Sequence, residues 1–318
     1  MSAKITQLRR ETESQAVLGL GTAALGRPGY ITADHGTDLL GHTDVESMAA
    51  NALSVFDFAY QHGVRYFDAA RSYGKAEEFL ATWLQTRSPS DVFVASKWGY
   101  EYVADWQIDV DTHEVKDHGL DMFRRQLVES KALLGEHLDL YQIHSVTPQS
   151  PALVDSELLD ELGELKASGV AIGLSTSGPQ QPEVLDAVSA ITVGGSPLFD
   201  SVQVTWNPLE PSTTDSLLKL KNQGVLIVIK EALANGRLTS SGDLPATSPD
   251  VDATPDALAL SIAMNQSPAD VVLSGAVNIS QLESNLSARD LPATTSSVSP
   301  SALAPDEYWA ERSALPWT

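Results

Sequence analysis

Residues 63 to 74 decide the fold, and they read Gly63-Val64-Arg65-Tyr66-Phe67-Asp68-Ala69-Ala70-Arg71-Ser72-Tyr73-Gly74. A strand-like run ends at Asp68, and Tyr73 follows five positions later, on the loop or helix start just beyond. In parallel barrels the chemistry lies at the carboxyl ends of the strands. The stretch therefore predicts one strand–helix unit of such a barrel, with Asp68 and Tyr73 at its mouth.

The same kind of unit recurs about eight times along the chain. Short β-branched or aromatic runs alternate with stretches of helical periodicity, which indicates a parallel sheet covered on both faces. The predicted strands are Ala16–Gly21, Val64–Asp68, Val92–Lys97, Leu138–Ser145, Ala171–Ser175, Ser201–Trp206, Val225–Lys230 and Val271–Ser274. Eight units predict a (β/α)₈ TIM barrel of roughly 250 residues plus additions.

The additions are also predictable. Residues 1–15 precede the first strand, and we expect an N-terminal hairpin that closes the bottom of the barrel. Long loops on the C-terminal face are expected at Leu25–Thr43, Trp98–His118 and Glu231–Thr254. Pro292–Ala304 looks irregular, and Trp309 and Trp317 are expected to anchor the tail. No linker is visible, so residues 1–318 are predicted to form one domain.

Composition excludes several classes of protein. The chain has 318 residues, with 42 acidic against 20 basic side chains and a formal net charge of −22. Such a surface repels nucleic acid and anionic lipid, so we expect neither as a partner. There are no cysteines, which excludes disulfides and thiolate metal sites. No signal-like or membrane-spanning run is visible, so a cytoplasmic location is expected.

One motif points to a different fold. Gly19-Leu20-Gly21-Thr22-Ala23-Ala24 fits a relaxed dinucleotide fingerprint, which works only when a helix follows the glycines directly. The next residues, Leu25-Gly26-Arg27-Pro28-Gly29, cannot begin a long helix. We therefore prefer the barrel to a doubly wound nucleotide domain, and expect Gly21 and Thr22 in the floor of a site.

Two further strand ends carry ionisable side chains, Lys97 and His144. An ammonium beside a tyrosine stabilises the phenolate, and a carboxylate keeps that ammonium charged. Tyr73 as acid, Lys97 as its tuner, Asp68 as the lysine's partner and His144 at the substrate oxygen form a set suited to carbonyl reduction. Taken alone, each residue could have a purely structural role. Asp68 could cap a strand end, Tyr73 could be a packed aromatic, and His144 could be a hydrogen-bonded core histidine. Their joint occurrence at strand ends favours catalysis.

Another group of residues could hold a metal ion, but this is the less favoured interpretation. The group consists of Asp111, His113, Asp117 and His118. Their spacing matches no strong ligand pattern. We expect a solvated loop there and no metal.

At this point the sequence resembles the aldo-keto reductases. The matching pieces are Gly63–Glu77, Ser96-Lys97, Tyr141–His144, Ile172–Ser175, Gln203, Asn207, Ser274–Ala276 and Asn285. The resemblance implies a (β/α)₈ barrel that reduces carbonyls with NADP(H) or NAD(H), with Asp68, Tyr73, Lys97 and His144 as the catalytic tetrad. The positions that it implies for cofactor binding are Gly21, Thr22, Ser175, Thr176, Gln203, Lys230, Ser274, Gly275, Gln281 and Asn285.

The chain departs from the family pattern at several of these positions. Thr176 stands where asparagine is usual, and Lys230 stands where an aromatic ring usually stacks on the nicotinamide. Gly275 and Gln281 occupy positions that often carry basic residues for the 2′-phosphate of NADP. Arg237 or Arg289 would have to replace them, so NAD versus NADP stays open.

The leading hypothesis is therefore a reductase that acts on a small-molecule aldehyde or ketone, or in reverse on a sugar-like alcohol. Aromatic residues expected to line its pocket are Tyr30, Trp98, Tyr100, Tyr102 and Trp106. The alternatives are a Schiff-base lyase that uses Lys97 or Lys230, and a non-catalytic dinucleotide-sensing subunit.

Overall fold

A closed barrel of eight parallel strands forms the centre of the computed structural model, which describes residues 3–32, 38–39, 41–242, 252–292 and 301–318. Each strand pairs with its neighbours in the sequence, and the first pairs with the last. The strands are β1 (Val17–Gly21), β2 (Tyr66–Asp68), β3 (Phe93–Trp98), β4 (Leu138–Val146), β5 (Ala171–Thr176), β6 (Ser201–Thr205), β7 (Leu226–Lys230) and β8 (Val271–Ser274). The predicted barrel is confirmed, strand by strand.

Helices surround the barrel and connect its strands. They are α1 (Ala3–Glu11), α2 (Val45–Gln61), α3 (Ala76–Arg87), α4 (Leu120–Leu134), α5 (Ser156–Ala167), α6 (Gln181–Val188), α7 (Thr214–Asn222), α8 (Pro255–Gln266), α9 (Ile279–Leu286) and α10 (Pro305–Ser313). Helix α2 shows why these segments are helical. The Asp44 side chain caps its first turn by accepting from the Ser47 backbone N–H, and Met48, Val55 and Phe56 are buried at helical spacing.

The predicted N-terminal hairpin is wrong, because Ala3–Glu11 forms helix α1. Ile5 and Leu8 lie three positions apart, so a helix puts both on one face, and both are buried. They pack into the apolar cluster that closes the bottom of the barrel. A helix thus does what the hairpin was expected to do.

Three aspartates secure the same end of the barrel. Asp139, Asp200 and Asp270 lie at the N-terminal ends of β4, β6 and β8, and each accepts a hydrogen bond from a backbone N–H of the neighbouring strand. Each also pairs with a lysine from a nearby helix, which is Lys4, Lys166 or Lys221 respectively. These carboxylates tie the strand starts to the surrounding helices.

The C-terminal face carries the long connections. A two-stranded hairpin, Tyr100–Tyr102 paired with Glu114–Lys116, rises from the loop after β3. Trp309 is buried in α10, and Trp317 forms a β-bridge with Ile31, so both residues anchor the tail. Parts of the loops predicted at 25–43, 231–254 and 292–304 lie outside the described residues. Among the described helices, none combines the length and apolar character needed to cross a bilayer.

Candidate active site

Lys97 and Asp68 form a buried ion pair at the C-terminal mouth of the barrel. The Lys97 ammonium contacts the Asp68 carboxylate, and the two side chains are 0% and 2% exposed. Lys97 also donates to the Ala69 carbonyl at 3.0 Å and to the Tyr73 hydroxyl at 3.3 Å. The ammonium therefore uses all three protons, one of them on the tyrosine.

His144 contacts the same tyrosine from β4. Its Nε2 lies 3.4 Å from the Tyr73 hydroxyl, and its Nδ1 lies 3.3 Å from the Ser72 hydroxyl. The Tyr73 and His144 rings meet edge to face, with centroids 5.4 Å apart. One phenol is thus within reach of an ammonium and an imidazole.

Parallel strand register brings these groups together. Asp68 pairs with Ala95, two residues before Lys97, and Lys97 pairs with Gln142, two residues before His144. Alternate residues of a strand share a face, so the three charged or titratable side chains point to the same side, at the mouth. The Gln203 amide from β6 donates to the second Asp68 oxygen at 2.9 Å across the barrel. Asp68 is held from both sides and cannot turn away from Lys97.

Burial controls the ionisation of this cluster. Burial lowers the pKa of His144 well below its ordinary value, and the charges of Lys97 and Lys230 add to that shift, so the imidazole is neutral. Burial likewise lowers the pKa of Lys97, and Asp68 works against that shift. Burial raises the pKa of Tyr73, and Asp68 adds to it. Tyr73 is therefore not made acidic by Lys97 alone, because Asp68 offsets the ammonium.

The tyrosine and histidine line a cavity of about 640 Å³, a size typical of small-molecule sites. A second charged group lies on its wall at the end of β7. Glu231 pairs with Arg312 at 2.7 Å, and Lys230 donates to the Thr205 hydroxyl at 2.8 Å. Burial lowers the pKa of Lys230 to about 8. Burial alone would raise the pKa of Glu231, but Arg312 and Lys230 bring it down to about 2.

The predicted cofactor positions divide into two groups. Seven of them line the cavity, namely Gly21, Gln203, Lys230, Ser274, Gly275, Gln281 and Asn285. The others face protein. Thr22 donates to the Asp68 carbonyl, Ser175 accepts from the Ser145 backbone N–H, and Thr176 donates to Gln181, whose side chain pins the start of α6.

The cavity has the size and the polar groups that a nicotinamide dinucleotide needs. It runs from the tetrad to the start of α9, and the N-terminal end of a helix favours a phosphate. The Asn278 side chain already accepts from the Gln281 backbone N–H there. Asn235 lines its wall and has a buried side-chain oxygen without a hydrogen-bond partner in the described structure. Unpaired polar atoms of this kind suit a polar ligand.

The aromatic pocket differs from the prediction. Tyr30 and Tyr100 line the cavity. Trp98 is fully buried against Phe123, because it points outward from the barrel into the helix layer. The Trp106 indole donates to the Thr43 carbonyl, and the partly buried ring packs against the core. Tyr102 is not among the residues that line the cavity.

The loop histidines are also placed differently from the solvated loop that we expected. His118 is buried, bonds the His144 carbonyl at 2.7 Å, and has a pKa that burial lowers to about 4. His113 stacks on Trp317, with ring centroids 4.0 Å apart. Across the described ranges, no three His, Asp or Glu side chains form a group suited to a metal ion.

Sequence reasoning missed six charged residues of the cavity wall. They are Arg27, Asp38, Glu114, Glu231, Asp256 and Arg312. All six lie outside the barrel strands, and their only signal was a charged side chain within a loop or helix. Arg237 and Arg289 face elsewhere, since Arg237 pairs with Glu311 and Arg289 donates to the His62 carbonyl at the opposite end of the barrel.

Comparisons with known proteins fit this geometry. The model of the aldo/keto reductase family matches residues 17–256, so the chain belongs to that family of oxidoreductases. Aldo-keto reductase str7 of Strobilurus tenacellus is 25% identical over 281 residues, covering 77% of this chain and 78% of the relative. The uncharacterized oxidoreductase YqkF of Bacillus subtilis is 26% identical over 266 residues, covering 74% and 81%.

Solved structures share the fold. The holo form of aldo-keto reductase AKR11C1 from Bacillus halodurans has a TM-score of 0.64 and 19% identity, covering 93% of this chain and 91% of that one. The glycerol dehydrogenase AKR11B4 from Gluconobacter oxydans has a TM-score of 0.62 and 20% identity, covering 94% and 90%. At these identities the likeness establishes the barrel alone.

Proposed function

We propose that this protein is an NAD(P)(H)-dependent oxidoreductase that reduces an aldehyde or ketone to an alcohol, or runs the reverse reaction on a sugar-like alcohol. One observation carries the proposal: the Tyr73 hydroxyl lies 3.3 Å from the Lys97 ammonium and 3.4 Å from His144 Nε2, on the wall of a large cavity. A carbonyl oxygen between the phenol and the imidazole would receive two hydrogen bonds. That arrangement stabilises an oxyanion and delivers a proton to it.

The residues divide the work. Tyr73 acts as the general acid and gives its proton to the substrate oxygen, while Lys97 stabilises the phenolate that remains. His144 is neutral, and in this proposal the Ser72 hydroxyl donates a hydrogen bond to Nδ1, so the ring proton lies on Nε2, which points toward Tyr73. Asp68 keeps Lys97 charged in a buried setting, where an unpaired ammonium would lose its proton.

A nicotinamide cofactor would supply the hydride for reduction, or accept it in the reverse direction. The groups on the cavity wall that would hold it are the Gln203 amide, Ser274, Asn285 and the N-terminal end of α9. Lys230 adds a cation to the same wall.

The wall beyond β8 favours NAD(H) over NADP(H). Its described lining residues include the acidic Asp38 and Asp256 and the neutral Ser280 and Gln281, and no basic side chain. A carboxylate accepts hydrogen bonds from ribose hydroxyls and repels a 2′-phosphate. Fluorescence titration should therefore show tighter binding of NADH than of NADPH. Gln281→Arg should improve NADPH binding about tenfold, whereas Gln7→Arg on α1 should not.

The decisive test of the function is Tyr73→Phe. We expect reduction of glyceraldehyde and para-nitrobenzaldehyde to fall by at least about a hundredfold, with dinucleotide binding retained, because only the transferable proton is removed. Tyr60→Phe makes the same change outside the barrel, at a hydroxyl that bonds Asp91, and should be active. Undiminished turnover by Tyr73→Phe would refute the mechanism.

Lys230 supports a second candidate, a Schiff-base lyase. Its amine lines the cavity, and its pKa of about 8 leaves part of it neutral near physiological pH. A neutral amine can attack a carbonyl. Borohydride trapping of pyruvate or glyceraldehyde on Lys230, without any dinucleotide, would favour this function over the reductase.

A further inference from the structure

Arg27 lies against the proposed general acid from outside the four-residue cluster. Its guanidinium carbon is 5.3 Å from the centroid of the Tyr73 ring, and its side chain lines the cavity while only 3% of the residue is exposed. Its Nη1 donates to the Ser72 carbonyl at 3.0 Å and to the Glu114 carboxylate at 2.7 Å. The cation therefore touches both Ser72 and Tyr73, the two residues whose hydroxyls contact the His144 ring.

The backbone is shaped for this contact. A Cβ on Gly26 would lie 2.2 Å from the Tyr73 carbonyl oxygen, and a Cβ on Gly74 would lie 2.4 Å from the Gly26 carbonyl oxygen. Gly74 also has a φ of +57°, which favours glycine. The Lys75 N–H donates to the Gly26 carbonyl at 2.7 Å. Two glycines thus let the Arg27 loop lie directly on the Tyr73 turn.

The Arg27 side chain is not simply neutralised by its partners. Its Nε is buried and has no hydrogen-bond partner in the described structure. The guanidinium instead lies over aromatic faces, at 4.8 Å from the Trp317 centroid and 5.7 Å from that of Tyr30. A buried cation over rings is attracted by their electron-rich faces and retains its field at short range.

We propose that Arg27 is a positioning residue of the active site. It holds Tyr73 in place and, through Ser72, it also holds His144. Its positive charge stabilises the phenolate of Tyr73, whereas the negative charge of Glu114 destabilises that phenolate. The inference rests on the proposed function, because it concerns the residue assigned there as general acid. It adds an ion pair, Arg27–Glu114, to the groups that set the acidity of that residue. The two charges act on Tyr73 in opposite directions.

Tyr73 is surrounded by charged and titratable groups from every element that packs on it. They are Asp68 of β2, Lys97 of β3, His144 of β4, Arg27 and Tyr30 of the loop after β1, Glu114 of the hairpin and Glu231 after β7. Burial raises the pKa of Tyr73, as do Asp68, Glu114 and Glu231, whereas Arg27 lowers it. Lys97 is matched by Asp68 at its other side, so Arg27 is the second cation that the phenolate can use.

The test replaces Tyr73 by trifluorotyrosine, whose phenol is more acidic than that of tyrosine, and follows its ionisation by fluorine NMR without ligands. Arg27→Met should move the titration midpoint to higher pH, because a cation is lost. Glu114→Gln should move it to lower pH, because the amide still accepts from Arg27 but carries no charge. Arg124→Met removes an exposed arginine of α4 that pairs with Glu161, and should leave the midpoint unchanged.

In the protein that carries the natural Tyr73, Arg27→Met should lower kcat for aldehyde reduction about tenfold, and Arg27→Lys should recover part of that loss. The inference is overturned if the parent and Arg27→Met have the same titration midpoint. It is also overturned if Arg27→Met and Glu114→Gln shift the midpoint in the same direction. If Arg27→Met does not fold, Glu114→Gln decides alone, and an unmoved midpoint refutes it. An active Tyr73→Phe variant would instead defeat the proposed function, so the two failures are distinguishable.

Discussion

The two ends of the barrel use the same pair of side chains, aspartate and lysine, in opposite ways. At the bottom, Lys166 and Lys221 pair with Asp200 and Asp270 while their own side chains are 21% and 32% exposed. At the mouth, the Lys97 side chain is 0% exposed and its ammonium contacts Asp68, Ala69 and Tyr73. The bottom lysines keep water within reach, and Lys97 has none.

This difference separates stabilising charges from charges that serve chemistry. Lys166 and Lys221 keep part of their hydration although their aspartate partners are buried, so forming these ion pairs costs less than burying both ions completely. A fully buried pair loses the hydration of both ions and is weak evidence for stability. On the proposed function, the burial of Lys97 with Asp68 is explained by what the pair does to Tyr73, at the wall of the cavity.

The largest expected effect comes from Lys97→Met. It leaves the Asp68 carboxylate buried with only amide donors, so the free energy of unfolding should fall by about 3–5 kcal/mol. Turnover should fall at least about a hundredfold, because Tyr73 loses its ammonium partner. Urea unfolding and aldehyde reduction measure the two effects. Lys166→Met is the matched change at the bottom. It leaves the buried Asp200 carboxylate with the Ile172 N–H as donor, so it should cost about 1–3 kcal/mol, without changing turnover.

A stable, active Lys97→Met variant would erase the distinction between the two ends. So would a Lys166→Met variant that is as damaged as Lys97→Met, because the bottom pair would then be more than a modest stabiliser.

The barrel and the convergence of Asp68, Tyr73, Lys97 and His144 were predictable because both follow from strand periodicity. Once a run of residues is assigned as a barrel strand, its last side chain must point to the mouth, and parallel register brings the ends together. Helix α1 could not be recognised from the sequence, because it has only nine residues, most of them polar. Ile5 and Leu8 are its buried residues.

The rest of the cavity wall depends on how the loops fold back, which strand periodicity does not describe. Arg27 and Glu114 are far apart in sequence and meet only because the loop after β1 and the hairpin after β3 cover the same side of the mouth. Arg312 reaches Glu231 from α10, at the other end of the chain. Such contacts between loops carry no local signal.

A smaller effect is expected from Asp270→Ala at the bottom. Asp270 accepts from the Ile227 backbone N–H at 2.8 Å and from the Thr12 hydroxyl at 3.0 Å, and both donors would be left buried. The free energy of unfolding should fall by about 2–3 kcal/mol. Turnover and dinucleotide affinity should stay within about twofold of the parent protein, since the mouth is untouched. A variant that unfolds as the parent does but turns over slowly would contradict a structural role.

The smallest effect is expected at Lys230, and it has the opposite sign, since removing this lysine should stabilise the protein. Lys230 is another lysine at the mouth, and burial lowers its pKa from 10.5 to about 8. Below pH 8 the folded protein carries this charge at a cost that the unfolded chain does not have. Lys230→Met should therefore be more stable than the parent at pH 7, by about 1–2 kcal/mol once the lost bond to Thr205 is counted.

The advantage of Lys230→Met must also depend on pH. Between about pH 8 and 10.5 the folded lysine is neutral while the unfolded lysine still binds a proton, so the stability contributed by the parent residue rises with pH. The gap between the two proteins should narrow by pH 10, when urea unfolding is compared at pH 7 and pH 10. Lys221→Met at the bottom should show no gain at either pH. If the stability difference between Lys230→Met and the parent widened with pH, Lys230 would contribute to stability as the bottom lysines do. Its burial beside the cavity would then not be destabilising.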